Sequence, residues 1–283
     1  MKSNATEHVM NLKKHKPSYN LTFTMKRFAY IACLMYLMGM THSLKTYATH
    51  LGKPKIQPDS LSIQDERDHI FSLLAYALVY QDWQGEQVPR EKRRGYNIGA
   101  LLVNEQNEPL AYNLNCITST NNSTQHAEIR MITKYLEGSH QYNLRNCTVY
   151  TTLEPCAMCA GMILMTATKR VVYGQHDIEF SKAFERLAAD HRASGGLGPY
   201  PRTVQVSPSS IPLCQQLDRQ YETFLQSDAE KVLAKFLASE SAKSIYQSAH
   251  PLLEQFNVLH PENIGIKRVA LAFYQKILHS IDK

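Results

Sequence analysis

Helix-like and strand-like segments alternate along most of this chain, and this alternation limits the fold more than any other feature of the sequence. A first helix is indicated by the spacing of Ile70, Leu74 and Leu78. The predicted strands are 98–103, 109–112, 147–152, 170–173 and 203–206, and the later helices are 127–136, one from Pro155, 180–189 and 213–225. Such alternation is typical of a sheet covered by helices on both faces. We therefore predict an α/β protein, a three-layer α/β/α sandwich with a central mixed five-stranded sheet.

The chain divides into four parts. Residues 1–48 form a leader, residues 49–61 contain two prolines and are predicted to be a linker, and residues 62–225 carry the alternating pattern. Ser62, followed three positions later by Asp65, resembles a capping box at the start of the first helix. Residues 226–283 contain no motif and are predicted to be a helical C-terminal extension with a break near Pro261. We expect this extension to pack on the domain or to mediate oligomerisation.

The leader has the organisation of a secretory signal. Lys26 and Arg27 precede the apolar run 28–40, and small residues follow, ending near Ala48. The run is shorter than the roughly 20 apolar residues that a transmembrane helix needs. We expect cleavage near Ala48 and a secreted or periplasmic protein. The alternatives are an uncleaved interfacial anchor, a disordered leader or a packed helix, and a chain without a signal would be cytoplasmic.

The charge of the chain gives little support for a dedicated nucleic-acid binder. The formal net charge of +6 is a mild excess, and it lacks the clustered stripe that such proteins show. The densest basic group is Arg90, Lys92, Arg93 and Arg94, in a polar loop predicted at 82–95. This loop is interpreted as solvated, with contact to a substrate or a phosphate as the alternative. Six cysteines in 283 residues do not form a disulfide scaffold.

Two short segments carry the residues of a metal site. His126-Ala127-Glu128 and Pro155-Cys156-Ala157-Met158-Cys159 both lie at predicted helix starts. One imidazole and two thiolates suit zinc, and a helix N-terminus favours the thiolate form of cysteine. Three protein ligands leave the fourth tetrahedral position for water, as in catalytic sites. We predict one zinc ion per chain, held by His126, Cys156 and Cys159.

Glu128 is the predicted catalytic residue. It lies two positions after His126, where it can reach over a water in the site without being a ligand. A carboxylate there can take a proton from the water and deliver it to a ring nitrogen and to a leaving amine. A purely structural zinc site has no need of this carboxylate, which argues against the alternative that the chain is a zinc-stabilised binding module.

The two motifs in this order match the zinc deaminases. The stretch 147–162, followed by 169–174, is similar to the cytidine-deaminase-like superfamily, and above all to its branch of tRNA-specific adenosine deaminases and bacterial guanine deaminases. The resemblance covers about residues 65–225 and implies that 62–225 is a zinc deaminase domain, often a homodimer. It also implies that Asn115 hydrogen-bonds the substrate.

The resemblance and the leader together shape our expectation of the substrate. We predict hydrolytic deamination of a nucleobase or nucleoside, a purine such as guanine or adenine, with release of ammonia. The alternatives are a tRNA or nucleic-acid adenosine deaminase and an exported toxin-like deaminase. Ala127, His176 and Asp177 are further predicted substrate contacts, although an ordinary loop is the alternative for the last two. Glu154 is predicted to cap the following helix.

Overall fold

The computed structural model describes residues 61–281. The predicted leader 1–48, with its apolar run 28–40, and nearly all of the linker 49–61 lie outside these residues. Within the described part of the chain, none of the helices combines the length and the apolar character required to cross a lipid bilayer.

Five strands and eight α-helices make up the described chain. The strands are β1 (Gly99–Val103), β2 (Pro109–Leu114), β3 (Thr148–Leu153), β4 (Arg170–Gln175) and β5 (Gln205–Pro208). The helices are α1 (Ile63–Gln81), α2 (Ala127–Ser139), α3 (Ala157–Met165), α4 (Ala183–Ala188), α5 (Pro212–Ser227), α6 (Leu233–Phe236), α7 (Glu240–Gln255) and α8 (Ile264–Ile281). The capping box at Ser62 and Asp65 is present at the start of α1.

The strands form one mixed sheet in the order β2-β1-β3-β4-β5. β1 pairs antiparallel with β2 and with β3, whereas β3, β4 and β5 are parallel. Pro208 lies on the edge strand β5, where the missing N–H of proline breaks no central ladder. With α1 and α5 against one side of the sheet and α2 against the other, the predicted sandwich is confirmed.

Helix α1 is buried on nearly all sides, because it lies between the sheet and the C-terminal helices α7 and α8. A helix in this position has almost no solvent face, which explains why Ile70 to Val79 is apolar except for Ser72. Its buried Asp68 accepts two hydrogen bonds from Arg170, at 2.8 and 3.1 Å, and one from Tyr150 at 2.8 Å. These hydrogen bonds connect α1 to β3 and β4 in the middle of the sheet.

The C-terminal extension is fixed to α1 by a second buried carboxylate. Glu66 is 0% exposed, and it accepts hydrogen bonds from the backbone N–H groups of Leu259 and His260 and from Asn263 Nδ2. The predicted break near Pro261 is confirmed and lies at this anchor, between α7 and α8. The extension is less helical than predicted, because residues 228–232 form an irregular segment before α6.

Two predicted helix boundaries were wrong. α3 begins at Ala157 with Cys156 as its N-cap, so Pro155 precedes the helix instead of lying in its first turn. α4 covers only Ala183–Ala188, because Asp177 Oδ1 accepts hydrogen bonds from the N–H groups of Glu179 and Phe180. An aspartate that bonds the backbone ahead of it in this way favours a turn over a helix.

Candidate active site

Two helix starts meet beside the sheet and bring the metal-binding side chains together. His126 is the N-cap of α2, and Cys156 is the N-cap of α3, with Cys159 in the first turn of the same helix. Both caps have extended backbone conformations, with ψ of 156° and 174°, which turn the chain into its helix at these points. The N–H groups of a helix start favour negative charge, so this end of α3 stabilises thiolate sulfur.

The three side chains fit a tetrahedral zinc ion. The two sulfur atoms are 3.7 Å apart, and His126 Nδ1 lies 3.7 Å from Cys156 Sγ and 3.6 Å from Cys159 Sγ. Zinc bonds of about 2.3 Å to sulfur and about 2.05 Å to nitrogen, at tetrahedral angles, require separations of about 3.8 and 3.6 Å. The donor set and its spacing therefore fit zinc, and the predicted ligand group is present.

The thiol pair carries the negative charge that a metal ion needs. The hydrogen bond between the sulfur atoms of Cys156 and Cys159, supported by one with His126, lowers the pKa of Cys156 to about 4. The same shared proton, together with burial, raises the pKa of Cys159 above its usual range. Cys156 is therefore ready to bind as a thiolate, and a metal replaces the proton that Cys159 holds.

Glu128 lies against this metal-binding group. It is 3% exposed, and its Oε2 is 3.4 Å from Cys159 Sγ. Burial raises the pKa of the Glu128 carboxyl above its ordinary value. A carboxyl group that holds a proton more readily than usual suits the acceptance and return of a proton near neutral pH.

Thr151 is a site residue that the sequence analysis missed. Its hydroxyl donates a 3.0 Å hydrogen bond to Glu128 Oε1, and the residue is 3% exposed on β3. With Oε1 held in this way, Oε2 is the oxygen on the side of the metal ligands. Nothing in the spacing of the sequence pairs a threonine at 151 with a glutamate at 128, because the contact exists only once the start of α2 lies beside β3.

We expect Thr151→Val to lower kcat about tenfold and to leave KM within about twofold. Loss of a hydrogen bond to a charged group costs about 1.5–3 kcal/mol in general, and the valine has the size of threonine. Thr151→Ser, which keeps the hydroxyl, should recover most of the rate. Steady-state kinetics of the three proteins measure this effect. Equal kcat in wild type and Thr151→Val would contradict a positioning role.

A cavity of ≈ 420 Å³ opens in front of Glu128 and the ligands His126 and Cys156. Its walls are mostly apolar, and they come from distant parts of the chain. The apolar lining residues are Ile98, Ile117, Leu153, Met158, Phe180, Val232, Leu233 and Ala234. Such a mainly apolar cavity with a few polar groups is typical of a site for a small ligand.

The turn 177–180 forms one rim of the cavity. Asp177 lines the cavity, as predicted for a substrate contact, but its Oδ1 is already engaged by the backbone of the turn. Glu154 does not cap α3. Its carboxylate accepts hydrogen bonds from Lys182 N–H at 2.7 Å and Asp177 N–H at 3.3 Å, and it thereby fixes the turn against the metal site. Phe180 remains 60% exposed at the cavity mouth.

The other three predicted substrate contacts are not among the described residues that line the cavity. His176 is half-exposed and its Nδ1 lies 2.8 Å from Asp218 Oδ2. Ala127 is fully buried behind His126. Asn115 Oδ1 accepts from the N–H groups of Tyr96 and Ile117, whereas its buried Nδ2 has no hydrogen-bond partner within the described chain. Asn115 Nδ2 is therefore an available donor, and its contact with the substrate stays a prediction.

The basic loop divides into structural and exposed parts. Arg94 is bonded to Asp82 at 2.8 Å and to the carbonyl oxygen of Asn115, and Arg93 donates to Val88 O at 2.8 Å. Arg90 and Lys92 are exposed. Arg94 therefore has a structural role. The sequence analysis had interpreted the whole loop as solvated and did not distinguish Arg94 from the other three basic residues.

The fold and the site together are those of a zinc-dependent hydrolase, with three side chains that would hold the metal and a buried carboxylate next to them. Comparison with known proteins narrows this class. Residues 85–175 match the family model described as the cytidine and deoxycytidylate deaminase zinc-binding region. This match contains all three ligands and Glu128.

Three curated proteins illustrate the similarity. The tRNA-specific adenosine deaminase of Buchnera aphidicola is 34% identical over 112 residues, covering 40% of this chain and 68% of that protein. The enzyme of the same name from Haemophilus influenzae is 27% identical over 187 residues, covering 64% and 99%. The guanine deaminase of Bacillus subtilis is 34% identical over 89 residues, covering 31% and 56%. The chain belongs to the cytidine-deaminase-like family of zinc-dependent hydrolytic deaminases.

Proposed function

We propose that this chain deaminates a free purine base, guanine or adenine, and releases ammonia. The observation that carries the proposal is the mainly apolar cavity whose lining includes His126, Cys156 and Glu128. Apolar walls suit a planar heteroaromatic ring, and Glu128 with the metal ligands lies where an exocyclic amine would react. The three curated relatives described above act on purines by their names, as adenosine deaminases of tRNA or as a guanine deaminase, which supports a purine.

The reaction replaces the C–NH₂ group of the ring with C=O at the expense of one water molecule. When bound, zinc lowers the pKa of a coordinated water to about 7 and so supplies a nucleophile at neutral pH. Glu128 Oε2, on the side of the ligands, would accept a proton from the attacking water and pass it to the ring nitrogen beside the amine. Glu128 would then take the second proton, from the hydroxyl group added to the ring carbon, and deliver it to the amine, so that the C=O forms as ammonia departs. Thr151 holds the other carboxylate oxygen throughout.

The charges around the cavity favour a neutral base over a phosphorylated ligand. Glu128, Glu154, Asp177 and Glu179 all line it, whereas none of the described lysine and arginine residues does. Carboxylates accept hydrogen bonds from ring N–H and amino groups, and they repel phosphate. A purine base carries such donors and no phosphate.

Deamination of adenosine in tRNA is a second candidate, and one observation favours it. The similarity to the Haemophilus influenzae tRNA deaminase covers 99% of that protein. Arg90 and Lys92 are exposed in the basic loop and could contact a phosphate backbone. Such contacts release counterions, so activity on RNA would fall steeply with salt concentration.

The two candidates differ in substrate and in salt dependence. We expect ammonia release from guanine or adenine to change by less than about twofold between low and physiological salt, because a neutral base releases no counterions. Initial rates on guanine, adenine, adenosine, cytosine and an anticodon stem-loop provide the measurement. Efficient, salt-sensitive turnover of the stem-loop, with no turnover of free purines, would replace the first candidate with the second.

A further inference from the structure

The C-terminal extension supplies part of the catalytic cavity. Val232, Leu233 and Ala234, which lie at the start of α6, line the same cavity as His126 and Glu128. The sequence analysis assigned this region no part in the site. We refer to these three residues as the 232–234 wall.

The 232–234 wall is anchored to the protein core on its C-terminal side. Phe236 is 0% exposed, and its ring lies 5.0 Å from that of Tyr221 and 5.6 Å from that of Phe224, both on α5. A fully buried aromatic side chain contributes a large part of its surface to packing and resists displacement. The wall therefore follows a short, fixed connection from α5.

A buried asparagine joins the wall to the segment that leads into β1. Asn97 Nδ2 donates to Leu237 O at 2.8 Å and to Gln84 O at 2.9 Å, and Asn97 Oδ1 accepts from Gln84 N–H at 3.2 Å. The residue is 2% exposed, so loss of these bonds would leave buried polar groups unpaired. On the N-terminal side, the Lys235–Asp228 ion pair of 2.8 Å closes the irregular segment that precedes the wall.

The wall also separates the catalytic cavity from the basic loop. A neighbouring cleft of ≈ 330 Å³ shares Val232 and Ala234 with the cavity and is lined by Arg90, Arg93 and Lys235. The cations therefore lie on the far side of an apolar wall, away from Glu128. A ligand that extended from the catalytic cavity toward these cations would have to displace the wall.

From this arrangement we infer that the 232–234 wall is a size filter, which admits a base to the cavity and excludes the same base bearing a ribose. Leu233 is the selecting residue, because it has the largest side chain of the three and is only partly buried against the core. This inference rests on the proposed function, since it specifies the substrate of that same site. It assigns a specificity-determining role to a part of the chain outside the matched region 85–175.

The test compares Leu233→Ala and Leu233→Phe with wild type and with a matched control. Leu252→Ala removes the same atoms from α7 of the same extension, at a side chain that is 46% exposed and outside the cavity. The full-length, zinc-loaded proteins are assayed on three pairs: guanine and guanosine, adenine and adenosine, cytosine and cytidine. The quantity measured is the ratio of kcat/KM for the nucleoside to kcat/KM for its base.

We expect wild type and Leu252→Ala to prefer the base, and Leu233→Ala to raise the nucleoside-to-base ratio about tenfold. Leu233→Phe should lower the ratio or leave it at the wild-type value. A rise of fivefold or more in Leu233→Ala, with no such rise in Leu252→Ala, supports the filter, and a smaller rise overturns it. If Leu233→Ala does not fold, a rise in the ratio for Leu233→Phe overturns it.

The outcomes separate the filter from the proposed function. Preference for cytosine over cytidine, with the expected effect of Leu233→Ala, would refute the purine assignment and retain the filter. Preference for guanine or adenine, with no effect of Leu233→Ala, would retain the purine assignment and refute the filter. A wild-type preference for nucleosides would refute both the free-base substrate and the filter.

Discussion

Cys159→Ala is expected to lose the metal and, with it, all deaminase activity. Cys159 is one of three ligands, and the two that would remain rarely hold zinc tightly. The zinc content should fall from about one ion per chain to less than about a tenth of that value, because structural and catalytic zinc sites depend on their full ligand set. Elemental analysis of the purified, dialysed protein measures this directly.

Cys214→Ala is the matched control for this experiment. Cys159 and Cys214 are both buried free cysteines, at 0% and 1% exposure, but Cys214 contacts the hydroxyl of Tyr76 away from the metal ligands. Both substitutions remove one sulfur atom from the interior, and their cost in packing should be similar. We expect Cys214→Ala to retain zinc and activity. Stoichiometric zinc in Cys159→Ala would show that the ligand set is wrong.

Glu128→Gln is expected to retain zinc and to lower kcat by about three orders of magnitude. General acid–base groups contribute about 10²–10⁴-fold to rates, and an amide in place of the carboxylate cannot accept and return the proton. The side chain keeps its size, and its amide oxygen can still accept the hydrogen bond from Thr151. This result would distinguish Glu128 from the metal ligands. Loss of a ligand removes both zinc and activity, whereas Glu128→Gln should lose activity and keep zinc.

Glu137→Gln is the control, because Glu137 lies on the same helix α2 and is exposed. It should match wild type in both zinc content and ammonia release. Zinc analysis and kinetics on the same preparations distinguish the two roles. Turnover by Glu128→Gln at a rate near that of wild type would exclude Glu128 as the proton carrier.

The order of elements and the metal ligands could be predicted because their signals are local. Apolar periodicity marks helices and strands within short windows, and the mixed five-stranded sheet follows from their order. The ligands occur as two short motifs, each at a helix start, and the chemistry of imidazole and thiolate already favours zinc. The start of α3 was predicted wrongly, because the extended backbone of Cys156 delays the helix to Ala157.

The surroundings of the metal site could not be predicted in the same way. Thr151 meets Glu128 only because β3 packs beside the start of α2, and His176 faces Asp218 on α5, 42 positions further along the chain. Arg94 was one of four similar cations in the sequence, and its partners Asp82 and Asn115 became apparent only in the folded chain. Contacts of this kind depend on packing between elements, and such packing produces no periodic pattern in the sequence.

By itself, the sequence determined the α/β/α architecture, the zinc ligands His126, Cys156 and Cys159, and the class of reaction, because residue chemistry and short-range spacing carry that information. The tertiary structure alone decided which residues line the cavity beside these ligands. The extension appeared to have no motif, yet Glu66, Asn97 and the buried ring of Phe236 place its 232–234 wall in the catalytic cavity. The physical reason is that a cavity is formed by side chains from distant segments, and only the packing of those segments brings them together.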